Sequence, residues 1–171
     1  MIELTRELVD RAEQAGVKLE IVDGLPMWEG FPAVRHQREV FRIQQTIRRI
    51  AASVQTTADD SPCGCFHYSD IYVRFSDGSL KRPDIAIFCT EDIEQEDAVT
   101  ALPEAVIEVI SPGFEAKDLD IGARFYQAHG VKDVIVFDPR TLVVLHLRQS
   151  GAERLISPVT LDLRCGCQVT V

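Results

Sequence analysis

The sequence predicts a mixed α/β domain, in which a central sheet of mixed strand direction is flanked by helices. Three observations carry this. Short runs of β-branched and aromatic residues, bounded by proline, glycine or acidic residues, recur from Val17 to Leu147. Three amphipathic stretches at helical spacing accompany them, one before Val17 and two between the strand runs. The segment from Ala105 to Phe137 reads strand–helix–strand, with a crossover long enough for parallel pairing, whereas the turn Asp138-Pro139-Arg140 is short enough to impose an antiparallel return.

The elements follow in order. Ile2, Leu4, Leu8, Val9 and Ala12 repeat at helical spacing, and Gly16 stops the helix. Val17 to Val22 reads as a strand, Asp23-Gly24 as a hairpin turn, and Leu25 to Glu29 as its partner. Gly30-Phe31-Pro32 breaks the pattern. Val40, Ile43, Ile47, Ile50 and Val54 then predict a helix over 34–54 with one apolar stripe. Gln55 to Ser61 is polar and reads as a loop. Phe66 to Tyr68, Asp70 to Phe75 and Asp84 to Phe88 form a strand meander, with Ser76-Asp77-Gly78 as a turn. The acidic stretch from Thr90 to Val99 reads as a solvated loop.

Ala105 to Ile110 is a strand, and Ser111-Pro112-Gly113 ends it. A helix is expected from about Lys117 to His129, started by Asp118 and stopped by Gly130, with Ile121 and Phe125 facing the core. Val131 to Phe137 is a buried strand and Leu142 to Leu147 its antiparallel neighbour. The tail, with Leu155, Val159, Leu161 and Leu163, alternates weakly and reads as edge strands.

With 171 residues the chain is read as a single domain over 1–171, large enough for a core without disulfide support. Hydrophobic residues make up 46% of it, as in ordinary globular proteins. The net charge of −9 argues against non-specific nucleic-acid binding through a broad basic face, though not against a local basic groove. No apolar run is long enough for a membrane span and the first residues lack a signal-peptide core, so a cytoplasmic protein without a membrane partner is expected. A homodimer is the default assembly.

Cys63, Cys65, Cys89, Cys165 and Cys167 include two Cys-Gly-Cys pairs. The odd count and the expected compartment disfavour a disulfide framework. Zinc through Cys63, Cys65, Cys165 and Cys167 is disfavoured because structural zinc ligands usually have at least two residues between them. Free, small thiols near strand ends are expected instead.

The chemistry is expected where two strands each carry an acid in apolar surroundings. Alternation puts Glu108 on one face with Val106 and Ile110, and Asp84 stands at the mouth of the preceding strand. A buried carboxylate must be protonated, paired with a cation, or bound to a metal. Two carboxylates converging on neighbouring strands repel, so a divalent metal is the economical explanation. The alternative is that Glu108 is a structural acid paired with Lys81, Arg82 or Arg124. Arg35, Arg38, Arg42, Arg48 and Arg49 are the one cationic concentration in the chain. They read as a solvated helix face, or, with Arg35, Arg38, Arg42 and Arg49 foremost, as a phosphate-contacting rim for DNA. Glu39 is an additional candidate carboxylate and His36 an additional candidate ligand, although a surface acid and a cap or packing residue are the ordinary readings.

Arg82-Pro83-Asp84, Pro103 to Pro112, Asp118 with Tyr126 and Gly130-Val131, and Val134 to Pro139, taken in order, resemble the Uma-two family of restriction-endonuclease-like proteins. Glu20 to Gly24 is similar to that family's opening strand turn, and His36 to the start of its next helix. The likeness spans about residues 5 to 148. It implies membership of the PD-(D/E)xK nuclease superfamily: a restriction-endonuclease-like core whose mixed sheet is flanked by helices, with Asp84 and Glu108 as ligands of Mg²⁺ or Mn²⁺. It further implies a metal-dependent endonuclease hydrolysing DNA phosphodiester bonds, with Asp84, Glu108 and a lysine as the catalytic set. The superfamily lysine, two positions after the glutamate, is here Ile110, and the position used by many relatives on the next helix is Gly122. Arg124 or Lys117 is left as the substitute, although arginine can stabilise charge without carrying a proton at neutral pH. A weakened nuclease is therefore expected, with a catalytically inactive binding or dimerisation module as the alternative.

Overall fold

The computed structural model describes residues 6–30, 32–50, 63–91, 93, 98–111 and 121–171. Helix α1 (Arg6–Gln14) leads into β1 (Val17–Val22) and β2 (Leu25–Gly30), an antiparallel hairpin in which Asp23 and Gly24 both take positive φ (51° and 76°). That handedness suits a two-residue turn between twisted strands. Helix α2 (Val34–Gln44), the short β3 (Arg48–Arg49), β4 (Phe66–Ser69), β5 (Val73–Arg74), β6 (Leu80–Lys81), β7 (Ile85–Phe88) and β8 (Ala105–Val109) follow. The chain then forms α3 (Ala123–Ala128), β9 (Asp133–Asp138), β10 (Val143–Arg148), β11 (Gly151–Ile156), β12 (Thr160–Asp162) and β13 (Cys167–Thr170).

The central sheet has the order β11-β10-β9-β8-β7-β4. Its β8–β9 contact is parallel and its other described contacts are antiparallel. The predicted crossover and the predicted antiparallel return after Asp138 are both present. A second sheet runs β2-β1-β6-β5, and a small third sheet runs β12-β13-β3. The mixed α/β class is therefore observed.

Alternation along β7, β8 and β9 divides the core in two. Ile85, Ile87, Ile107, Ile135 and Phe137 point towards Val40 and Ile43 of α2. Ala86, Phe88, Val106, Val134 and Val136 point towards Ala123, Phe125 and Tyr126 of α3. With period-two alternation, Glu108 falls on the α3 face. The last turn of α1 carries Arg11, paired with Glu7 four residues earlier.

Four expectations need correction. The second helix ends at Gln44 rather than continuing towards Val54, because the Thr46 hydroxyl donates to the carbonyls of Ile43 and Thr170 and accepts the Thr170 N–H. Arg48 and Arg49 then pair with β13, so a partner more than a hundred residues away overrides the helical period. The arginines accordingly do not form one helical face: Arg35 donates to the Pro139 carbonyl, Arg42 pairs with Glu39, Arg48 binds Gln168, and Arg49 donates to the Cys63 carbonyl. Ile121 is 42% exposed instead of facing the core, while Phe125 is buried as expected. Lastly, Cys63–Cys89 and Cys65–Cys167 are disulfides and Cys165 is free. Folding brings the turn before β4, the end of β7 and the start of β13 together, which an odd cysteine count does not prevent. Val54, the loop from Gln55 to Ser61, the start of the third helix at Lys117 and Asp118, and most of the acidic stretch after Glu91 lie outside the described residues.

The β1–β6 register sets Ile21 against Leu80 and thereby Glu20 against Lys81. Both side chains are 1% exposed; Lys81 Nζ lies 2.7 Å from Glu20 Oε2, and the Arg82 N–H donates to Glu20 Oε1 at 2.8 Å. Removing one partner of such a pair strands a charge, whereas removing both need not. Lys81→Met is expected to lower stability by about 3–5 kcal/mol in urea unfolding, and the additional change Glu20→Met to recover most of that loss.

Candidate active site

Asp84 and Glu108 meet through strand register. Ile85 of β7 faces Ile107 of β8, so the next antiparallel step sets Asp84 across from Glu108. Both are buried, at 7% and 5% exposure. The Asp84 N–H donates to Glu108 Oε2 at 3.1 Å, and the Val109 N–H donates to Asp84 Oδ2 at 2.8 Å, so each backbone holds the other strand's carboxylate.

Other elements converge on the pair. His36, in the first turn of α2 and buried, lies with Nε2 3.0 Å from Asp84 Oδ2. Lys18, on β1, lies with Nζ 3.6 Å from Asp84 Oδ1 and 3.9 Å from Asp70 Oδ1. Tyr126, on the inward face of α3, donates its hydroxyl to Glu108 Oε1 at 2.7 Å. Behind it, Lys81 Nζ sits 5.4 Å from the centre of the Tyr126 ring. In front of Asp84 a cleft of about 290 Å³ opens, lined among others by Lys18, Gln37, Ser69, Asp70 and Arg82. Arg82 closes one side, bonded to Glu13 and Asp70.

The electrostatics of the two carboxyls differ. Burial opposes ionisation of Asp84, but the Lys18 ammonium, His36 and the Val109 N–H together hold its pKa below the ordinary value. Burial, and then the neighbouring Asp84 charge, push Glu108 up to about 7. Burial, followed by the Glu108 charge, keeps the Tyr126 phenol well above its usual value, so it remains a donor. The group is thus an ionised aspartate beside a carboxyl poised near neutrality. A hard divalent cation suits this oxygen donor set, since its charge would offset the burial and, after it, the Asp84 repulsion that raise Glu108.

The structural-acid alternative predicted Glu108 paired with Lys81, Arg82 or Arg124. Among the described residues Lys81 and the Arg82 backbone serve Glu20 instead, and Arg124 is exposed on α3 with Tyr126 as the residue that turns inward. Glu39 is held by Arg42 at 2.7 Å. Lys117 lies outside the described residues. Sequence reasoning missed Lys18 as a site residue. The signal available was that Lys18 and Glu20 share a face of one strand, an unusual place for two charges unless both have partners. In the sequence Tyr126 stands out only as one member of the ordered family pattern.

A family model described as "Uma2: Putative restriction endonuclease" matches residues 5–164. A crystal structure described as that of a "putative nuclease belonging to DUF820" from Anabaena variabilis superposes with a TM-score of 0.58, at 18% sequence identity, covering 85% of this chain and 80% of that one. At that identity the likeness establishes the fold. No curated protein matches.

The raised Glu108 pKa has a definite sign. Its folded value of about 7 exceeds the ordinary 4.5, so its contribution to stability is complete below about pH 4.5 and is lost as pH rises through about 7. The depressed Asp84 acts oppositely and only at more acid pH, below its ordinary 3.8. Thermal melts in a chelator should therefore show a higher Tm at about pH 5.5 than at about pH 8, and Glu108→Gln should flatten that slope.

Proposed function

Since the chain belongs to the Uma2 family, we propose that it is a metal-dependent endonuclease that hydrolyses phosphodiester bonds in DNA. The observation that carries this reading is Asp84 facing Glu108 across β7 and β8, with Glu108 driven towards neutrality, at the edge of a cleft that also receives Lys18. Asp84 and Glu108 would hold Mg²⁺ or Mn²⁺. When bound, such an ion polarises a phosphoryl oxygen and makes water acidic enough to attack.

The chain's own residues divide the remaining work. His36 and the Val109 N–H orient Asp84; Tyr126 and the Asp84 N–H orient Glu108. Lys18 takes the part left open by Ile110 and Gly122. Its ammonium faces the same cleft as Asp84 and can stabilise the charge that accumulates on the scissile phosphate. Unlike Arg124, a lysine can also exchange a proton. Ser69, Gln37 and Arg82 supply polar contacts for the flanking backbone.

Plasmid nicking with Mg²⁺ or Mn²⁺ tests the proposal. Asp84→Ala should abolish cleavage. Lys18→Ala should lower kcat by about a hundred- to a thousand-fold while Mn²⁺ still raises the Tm of the variant. Equal cleavage by wild type and Asp84→Ala would remove the nuclease reading. A rise in Tm with Mn²⁺ but no cleavage by the wild type would instead establish the binding module, the reading that the absent family lysine favours.

A further inference from the structure

All five cysteines gather at one place, away from Asp84 and Glu108. Cys63 and Cys65 flank Gly64 just before β4, Cys89 follows β7, and Cys165 and Cys167 flank Gly166 at the start of β13. Their sulfurs form two triads that share Cys63. Cys63, Cys65 and Cys167 are buried, whereas Cys89 and Cys165, which complete the second triad with Cys63, are half-buried; within each triad the sulfurs are within 4.8 Å of one another. Cys63 Sγ and Cys167 Sγ, which are not bonded to each other, are 3.6 Å apart.

Both turns depend on glycine. A Cβ at Gly64 would fall 2.1 Å from the Phe66 ring, and Gly166 has φ of 85°. The Arg49 guanidinium clamps the first turn through the Cys63 carbonyl at 2.9 Å, and the Ile50 N–H holds the second through the Gly166 carbonyl at 2.9 Å. Two glycine turns about a hundred residues apart in sequence, each tied to the 48–50 segment, therefore present their thiols to two adjoining groups that share Cys63.

We propose that, with its cysteines reduced, this cluster binds one structural Zn²⁺ through four thiolates, built on the buried triad Cys63, Cys65 and Cys167 and completed by Cys89 or Cys165. Tetrahedral zinc with Zn–S bonds of about 2.3 Å sets its sulfurs about 3.8 Å apart, close to the 3.6 Å between Cys63 Sγ and Cys167 Sγ. The short Cys-Gly-Cys spacing, which counted against zinc when the two pairs stood alone, matters less once a third segment supplies the fourth sulfur. Reduction of each disulfide takes two electrons and two protons from a dithiol reductant, which leaves as its own disulfide. Zinc then displaces one proton from each of the four thiols it binds. The site is independent of the nuclease reading: it is soft and sulfur-lined, whereas Asp84 and Glu108 offer hard oxygens.

The full chain, purified with a dithiol reductant and freed of loosely held metal with a mild chelator, should retain one zinc per chain by elemental analysis. Co²⁺ in its place should give the sulfur-to-cobalt charge-transfer absorption that oxygen ligands do not produce. Cys63→Ser should lose the metal, and Asp84→Ala should keep it. Should Cys63→Ser fail to fold, the cobalt spectrum of the wild type decides. A reduced chain without zinc, four cysteines that remain disulfide-bonded in reductant, iron–sulfur absorption in place of zinc, or loss of the metal in Asp84→Ala would each overturn the proposal.

Discussion

The repulsion between Asp84 and Glu108 is the constraint around which this molecule is arranged. Two buried carboxylates on adjacent strands are costly, and the surrounding fold is organised to bear that cost unequally. Asp84 receives a cation, an imidazole and a backbone amide, so it stays ionised. Glu108 receives a phenol and a backbone amide, which leaves its charge conditional. The same asymmetry separates two groups with nearly equal intrinsic acidity, a division that hydrolytic sites use to obtain different roles from like residues. A second buried pair, Glu20 with Lys81, lies behind Tyr126 and is neutralised internally, so the unbalanced charge is confined to the side that opens on the cleft.

Much of this was legible in the residues themselves. Alternation placed Glu108 on the face of Val106 and Ile110, and the strand–helix–strand length fixed the parallel pairing of β8 with β9. The hairpin at Asp23-Gly24 needed only its turn dipeptide. These features are local, or depend on a spacing that the chain itself displays.

What the residues concealed depends on distant partners. Nothing near Thr46 announces that Thr170 will accept its hydroxyl, so in the sequence the apolar stripe of α2 continues through Ile47 and Ile50. The arginines read as one face only if a single helix carries all of them; separate acceptors in β13, the Cys63 turn and the loop at Pro139 disperse them. The cysteines read as two pairs in the sequence because Cys89 belongs to a strand end that only the tertiary structure brings beside them. Lys18 carries no local sign of its role, because a charged residue in an opening hairpin is ordinarily solvent-facing and its proximity to Asp84 arises from packing between sheets.

That last placement has a mechanical consequence. The carboxylates ride on the six-stranded sheet, whereas Lys18 rides on the four-stranded one. The spacing between cation and anions is therefore fixed by how two separate platforms abut, with α2 and its His36 wedged at the seam. A slight rocking of the hairpin platform would alter the field at Asp84 without disturbing any bond within the central sheet, so the charge state of the carboxylate pair is sensitive to substitutions far from it, on the back of β1 or along α1.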